Sequence, residues 1–560
     1  MRNEKQSLAI EHYTGPCLVV AGPGSGKTKC LVERVSCLIE SHQISPEKIL
    51  VLTFTKDAAK EMKDRFLKQS SFAAKTPFFG TFHSFFFTIL KEEYHLSKEN
   101  IITSKLAHSF LVQSLKDVGL FPDKYDIFGI LKEISACANK NSSPKAFESR
   151  LLQSHFSKVF ESYQRKKKEA NFIDFDDMQT LVLKLFCENP QVLKKWQKRY
   201  TFFLLDEMQD INMLQFQITK MLCEPDHNLF MVGDDDQSIY EFRGANPRLF
   251  LDLKKEYPNL KTIVLDTNYR SQNQIVAVSK HFIKHNHNRM EKEYQSYFDT
   301  GGTVKCFLFE DERVQGEAIL KVIKQNPKSS VGILFRNKRD GDYISRFLEW
   351  NHISYYAKEK FYYHNTNEIL SDVIAFFAKY FHLTNIKEES DFFIKESASS
   401  FQPKSYYSLL NYFRKGVGYD AYLKRKYKND ELLLDVAFSY LEEIQKECKH
   451  LSNVFDPESV IEALKSMEMK ESYRLQVKEE ATVFLYTYHG SKGLEFDRVF
   501  CINVNEGMVP SPYHKGDLEE ERRMFYVALT RAKYELYVCS IKIRGGKFFP
   551  PSVFIGEMKD

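Results

Sequence analysis

The stretch CLVVAGPGSGKT, residues 17–28, decides the fold class. Its apolar opening has no polar alternation, so it reads as a strand covered on both faces, as in a parallel sheet. The glycine-rich AGPGSGKT (21–28) then leads into a helical pattern. Strand, loop and helix N-terminus in that order form a phosphate cradle, because free backbone N–H groups and the helix dipole point at the same place. In that reading Ala21, Gly22, Pro23, Gly24, Ser25 and Gly26 wrap the phosphates, Lys27 reaches the β- and γ-phosphates and Thr28 holds Mg²⁺. Ala21 stands where the usual pattern has its first glycine, a small change that the loop tolerates. The bland alternative is a glycine turn with a chance lysine, and the strand–loop–helix setting argues against it.

Moving outward, ILVLTF (49–54), FFLLDE (202–207), LFMVGD (229–234) and TIVLD (262–266) repeat the same kind of apolar run. A second series comprises VKCFLF (304–309), VGILF (331–335), VFLYTY (483–488), RVFCINV (498–504) and ELYVCS (535–540). Two α/β units, each with its own parallel sheet, are expected. Residues 91–170 and 381–474 are poor in such runs and rich in helical patterns, so each unit is expected to carry a helical insertion. The expected boundaries are 1–90 with 171–267 for the first core and 91–170 for its insertion. The second core takes 268–380 with 475–560, and its insertion takes 381–474.

Two further segments bear on chemistry. LLDEMQD (204–210) ends a strand, which places Asp206 to hold Mg²⁺ and Glu207 to orient and deprotonate a water. GDDDQSIYEFRGA (233–245) follows another strand, whose C-terminal edge faces the same crevice. Its three acids could face a metal ion, and Gln237 could report a γ-phosphate. Tyr240 and Phe242, at alternating positions, could stack on a second, flat ligand, with Arg243 between the two sites. Together these features imply a nucleoside triphosphate hydrolase.

Composition narrows the class. At about 150 residues per domain, 560 residues allow three to four domains. The chain has 80 basic and 75 acidic side chains, so its net charge of +5 permits local basic patches without arguing for nucleic acid. Its 47 Phe and 30 Tyr belong mostly to cores, though a surplus suits stacking on bases. The ten cysteines include no CxxC pair, which argues against a zinc site or disulfide framework and for reduced thiols. The start, MRNEKQ, lacks the apolar core of a signal peptide, and no run approaches the ~20 apolar residues of a membrane span. A cytoplasmic protein without a membrane partner is expected.

The ordered set of motifs resembles the UvrD/Rep/PcrA-like superfamily 1 DNA helicases. It comprises NEKQ (3–6), AGPGSGKT, TFTKDAAKEM (53–62), GTFHS (80–84), LLDEMQD, GDDDQSIYEFRGA, NYRS (268–271), TYHGSKGLEF (487–496) and EEERRMFYVALTRAK (519–533). The resemblance implies two RecA-like P-loop domains that bind ATP and Mg²⁺, and 3′→5′ movement on single-stranded DNA. It also implies that Gln6 reads the adenine edge, Tyr269 stacks on that ring and Glu495 contacts the ribose. Arg270 and Arg531 become arginine fingers supplied by the second core, a task for which the planar guanidinium suits phosphate. From the residues alone, Arg531 could equally pair with an acid.

For single-stranded DNA the similar positions are Phe54, His83, Tyr240, Phe242, Arg336 and His489, joined by Arg243. Phe242 stands where many members have tryptophan. Phe54 by itself reads as core, because it ends an apolar strand. TFTKDAAKEM departs from the usual Thr-Phe-Thr-Asn-Lys start at Lys56 and Asp57. The basic runs RKKK (165–168) and KRKYK (424–428) read as solvated helix faces.

Two departures bear on unwinding. The second insertion is short for the family, and KGVGY (415–419) is only a faint echo of its duplex-gripping Gly-Ile-Gly element. IKIRGGKFFPPS (541–552) reads as a short hairpin with a Gly-Gly turn in the place of the strand-separating pin. Phe548 or Phe549 is then a wedge, or else core. The expected activity is a helicase acting at single-strand/duplex junctions, aided by a protein partner that enhances unwinding. The alternatives are a translocase that displaces proteins with little unwinding, and a non-catalytic DNA-binding regulator.

Overall fold

A computed structural model describes all residues except 1–2, 70–74, 140–141, 225, 242–243, 359–363, 384–391, 393–400, 428–430, 452–455, 470–473, 476, 513–516, 545 and 560. The chain divides into two compact units, Met1–Val276 with Asn286–Asp299, and Ala277–His285 with Thr300–Asp560. No helix among the described residues is long and apolar enough to cross a membrane.

The first unit is built on six parallel strands: β1 (Cys17–Ala21), β2 (Ile49–Thr53), β3 (Phe78–Thr81), β4 (Phe202–Leu205), β5 (Leu229–Gly233) and β6 (Lys261–Leu265). Their order across the sheet is β3-β2-β4-β5-β1-β6. Every residue of β1, β2, β4 and β5 is buried. Successive side chains point to opposite faces. Leu18, Val20, Leu50 and Leu205 therefore enter one core, while Val19, Val51, Leu204 and Val232 enter the other. A sheet covered on both faces has no use for polar alternation, which is why these runs were continuous. The first insertion packs the helices Ser104–Asp117, Ile127–Asn139 and Gln153–Glu169 around Leu111, Ile134, Phe156 and Val159. The run 165–168 lies on the last of these helices, and it is not uniformly solvated. Lys167 is buried between Asp174 and Asp177, because four consecutive residues of a helix cannot all face the same way.

A small parallel ladder, β7 (Thr267–Asn268) with β8 (Gln295–Ser296), extends this unit beyond residue 267. Tyr269 and Arg270 accordingly lie in the first unit, although the motif order had assigned them to the second core. The physical reason is the return of residues 286–299, whose cations pair with acids of the first unit.

The second unit has seven parallel strands: β9 (Thr303–Phe309), β10 (Val331–Phe335), β11 (Tyr355–Ala357), β12 (Arg474–Leu475), β13 (Val483–Thr487), β14 (Phe496–Cys501) and β15 (Ala532–Ile541). Their order is β12-β11-β13-β10-β14-β15-β9. Its insertion has a core of Ile374, Phe377, Leu410, Phe413 and Leu441, and the helix that supplies the first two starts at His364, ahead of residue 381. Within KGVGY, Gly418 takes a φ of 91° and caps the helix Tyr419–Lys426. In 424–428, Lys426 pairs with Glu368, and Lys428 lies outside the described residues. A hairpin of β16 (Ile543–Arg544) and β17 (Lys547–Phe548) follows, with Gly546 at φ 72° in its turn. Arg544 fixes its base through Asp340 at 2.6 Å and Glu312 at 3.3 Å. Phe548 is 71% exposed, whereas Phe549 is half-buried and its N–H donates to the Lys542 carbonyl.

Candidate active site

The loop after β1 needs glycine at two places. Gly24 (φ 67°) and Gly26 (φ 83°) both have left-handed backbone, and Gly26 caps the helix Lys27–Glu40. A Cβ on Gly24 would stand 2.6 Å from both the Arg270 Cβ and the Asn268 Oδ1. Around the loop, Ser25 Oγ donates to the Gly22 carbonyl at 2.7 Å, and Gln6 Nε2 donates to the Ser25 carbonyl at 3.0 Å. The Tyr269 N–H donates to the Gly24 carbonyl at 2.9 Å. The Tyr269 ring lies 5.2 Å from that of Tyr297, tilted by 36°. Ala21 is the last residue of β1, Pro23 is buried in the loop, and Thr28 is half-buried in the first helical turn. Gln6, Tyr269 and Arg270 thus meet at one loop, from three parts of the sequence.

Lys27 Nζ is buried and has no hydrogen-bond partner among the described residues. A buried ammonium without a partner is costly, and an anionic phosphate supplies what it lacks. Asp206, 5% exposed, follows β4 and donates its N–H to the Leu52 carbonyl at 2.9 Å. The Thr28 hydroxyl and the Asp206 carboxylate are oxygen donors of the kind that could hold Mg²⁺.

Glu207 has a φ of 52°, which a non-glycine residue adopts only when its surroundings hold it there. Its carboxylate accepts from Gln209 Nε2 at 2.5 Å. Gln209 Oε1 accepts the Asp234 N–H at 2.9 Å, and Asp234 Oδ2 accepts from Gln237 Nε2 at 2.5 Å. These three bonds join Glu207 to Gln237. Gly233 makes room for them, since a Cβ there would come within 2.6 Å of Gln209 Oε1.

The three acids of 234–236 turn inward. Lys292 Nζ lies 2.5 Å from Asp234, 2.5 Å from Asp235 and 2.9 Å from Asp236. Arg289 holds Asp236 with both arms of its fork, at 2.9 and 2.7 Å. The carboxylate oxygens are close enough together for a metal ion, but the Lys292 ammonium already fills that role. The expectation that these acids face a metal is therefore corrected. Burial pushes the Asp234 carboxyl up, and the charges of Lys292 and Lys27 bring it below its ordinary range. Burial works against the Lys292 charge, yet the three carboxylates hold its pKa well above that of a free lysine. Neither Lys292 nor Gln209 was picked out from sequence. Gln209 sits inside LLDEMQD, whereas nothing in NRMEKEYQS (288–296) distinguishes Lys292 from a surface lysine.

Of the DNA candidates, Phe54 and Tyr240 stack with ring centroids 4.7 Å apart, both half-buried. His83 meets the exposed Phe175 edge-on at 5.4 Å. Phe242 and Arg243 lie outside the described residues. In the second unit, Arg336 gives its fork to Glu521 at 3.0 and 2.7 Å, and His489 opens a one-turn helix after β13. Glu495 is exposed and pairs with Lys533 at 2.8 Å. Arg531, 1% exposed, donates to the Val527 and Leu494 carbonyls and to Thr530 Oγ1, at 2.7, 3.2 and 2.9 Å. All three of those acceptors are neutral oxygens.

Residues 2–258 match the family model of the UvrD/REP helicase N-terminal domain. Residues 263–392 and 383–542 match that of the UvrD-like helicase C-terminal domain. The chain is 32% identical to the YjcD protein of Bacillus subtilis (strain 168), covering 99% of this chain and 80% of that one. It is 29% identical to the ATP-dependent DNA helicase PcrA of the same organism, over 100% of this chain and 86% of that one. It is likewise 29% identical to the ATP-dependent DNA helicase Rep of Buchnera aphidicola subsp. Schizaphis graminum, over 99% and 96%.

Proposed function

We propose, from the premise that the chain belongs to the UvrD/REP helicase family, that it is an ATP-dependent DNA helicase moving 3′→5′ on single-stranded DNA. The observation that carries this reading is the bonded path from Glu207 to Gln237, which stands three residues before the stacked Tyr240. One segment can then sense phosphate at one end and bases at the other.

In this mechanism Gln6 and Tyr269 hold the adenine, Glu495 contacts the ribose, and the loop from Ala21 to Thr28 holds the phosphates. Thr28 and Asp206 would hold Mg²⁺, which would neutralise charge at the phosphates when bound. Glu207 takes a proton from the attacking water, while Lys27, Arg270 and Arg531 offset the charge that develops. Gln237 registers the γ-phosphate, and loss of that contact shifts the backbone that carries Tyr240. Bases stacked on Phe54, Tyr240 and Phe242 are thereby gripped and released, with His83, Arg243, Arg336 and His489 along the strand. The protein acts in the cytoplasm at single-strand/duplex junctions, aided by a protein partner.

A second reading, a translocase that displaces proteins and unwinds little, is favoured by the hairpin at 543–548, whose strands have only two residues each. ATPase assays with and without single-stranded DNA, run beside strand displacement, test both. DNA-stimulated turnover with duplex opening supports the first, and stimulation without opening supports the second. Turnover indifferent to DNA would overturn both.

A further inference from the structure

We infer that Lys292 is a positioning residue for ATP hydrolysis, fixing Asp234 and, through it, both Gln237 and Glu207. This deepens the proposed function and rests on it. Lys292 is 1% exposed at its side chain and Asp234 is fully buried. The two oxygens of Asp234 divide their work. Oδ1 takes the Lys292 ammonium at 2.5 Å, and Oδ2 takes the Gln237 amide at 2.5 Å. Its backbone N–H holds Gln209, which in turn holds the Glu207 carboxylate. Asp234 is therefore the junction between the candidate base and the candidate γ-phosphate sensor.

Without Lys292, three buried carboxylates would keep only the Arg289 guanidinium, which grips Asp236, and the nearby charge of Lys27, which acts on Asp234. Buried like charges relieve themselves by taking up a proton or turning away. A protonated Asp234 would have a hydroxyl to donate, and the Gln237 amide would lose the acceptor that sets its orientation. The segment that carries Lys292 also reaches the phosphate loop, because the Tyr294 ring lies against Gly22, where a Cβ would be 3.4 Å from its Cδ1. Residues 286–299 thus touch both the loop and the acids of 234–236, one of which holds Gln237.

The test compares the full-length chain with Lys292→Met, Asp234→Asn and Arg289→Met. Steady-state ATPase at saturating single strand is read with ATP affinity from a fluorescent ATP analogue and with thermal unfolding. A hydrogen bond to a charged group is worth about tenfold or more in rate when it orients the reacting groups. Lys292→Met and Asp234→Asn should each lower kcat by about tenfold or more, with KM for ATP and analogue affinity within about twofold. Arg289→Met should lose thermal stability yet keep kcat.

Unchanged kcat in Lys292→Met and Asp234→Asn would overturn the inference. So would a loss of kcat in all three that simply follows their loss of stability. If Lys292→Met does not fold, Asp234→Asn decides alone, since its amide oxygen still accepts from Lys292 but the group offers Gln237 one acceptor fewer. A wild-type chain without DNA-stimulated turnover would overturn the functional reading itself, whereas active wild type with unimpaired variants overturns only the role of Lys292.

Discussion

The rings of Phe54 and Tyr240 lie 4.7 Å apart and 20° from parallel. One follows β2 and the other follows the one-turn helix Asp235–Gln237, so a flat surface is assembled from two strand ends. Stacking on one base contributes ~1–3 kcal/mol, roughly five- to 150-fold in affinity. Tyr240→Ala should therefore raise the single-strand concentration for half-maximal ATPase by a factor in that range, with the DNA-free rate unchanged. A titration of ATPase against oligonucleotide checks it, and an unchanged midpoint would make the pair a packing contact.

Lys27→Ala should abolish DNA-stimulated turnover. The buried ammonium has no hydrogen-bond partner among the described residues, and a bound phosphate would supply the charge it lacks. Loss of one such stabilising group costs about a hundredfold to a thousandfold in kcat. Wild-type turnover by this variant would refute the phosphate-loop assignment.

Glu207→Gln should keep ATP and single-strand binding while hydrolysis falls about a hundredfold or more, because the amide is nearly isosteric but cannot accept the proton. Gln209 would then face an amide that can still accept its N–H bond. Equal losses of ATP affinity and rate would count against Glu207 as the base.

Arg336 and Glu521 make a two-bond fork in a place where the glutamate also accepts the Ser511 N–H. Glu521→Ala leaves that half-buried guanidinium without its carboxylate, and breaking a fully buried pair costs about 3–5 kcal/mol, an upper bound here. Denaturant unfolding should show that loss. A change below about 1 kcal/mol, typical of a surface pair, would show that solvent already screens it.

Unwinding by single molecules should be poor on long duplexes. Opening DNA costs ~1.4 kcal/mol of stacking per step on average, and the hairpin offers one exposed aromatic, Phe548, to resist reannealing. Phe548→Ala should remove what unwinding there is and leave streptavidin displacement from the same tail unaffected. Efficient single-turnover unwinding of long duplexes by monomers would refute this.

Much of the sheet architecture was legible because interior parallel strands such as β1 and β5 must be apolar on both faces. In the two main sheets the strands that escaped notice, β3, β11 and β12, are short and lie at or beside sheet edges. In β3, FFGT is too brief to carry a pattern, and its Gly80 is required by crowding, since a Cβ would meet Phe78 Cε1 at 2.5 Å. The strand–loop–helix turn at 17–28 was legible because its residues are contiguous. Lys292 was not, since its partners lie more than fifty residues earlier and a lone lysine carries no mark of burial. Lys167 shows the same limit, being the one member of a basic run that turns inward onto two acids.

The return of residues 286–299 to the first unit also governs how the chain can be dissected. A fragment ending at residue 267, where the motifs suggest a seam, would retain Asp234, Asp235 and Asp236 but lose Arg289 and Lys292, the cations paired with them. Its interior would have to flood or protonate, so it should be recovered only as aggregate near neutral pH. Extending it to Asp299 restores Arg289 and Lys292, at the cost of carrying residues 277–285 with nothing of the second unit to pack on. The first unit is therefore not expected to be a severable module, and a chimera that transplants it should bring the downstream strap along.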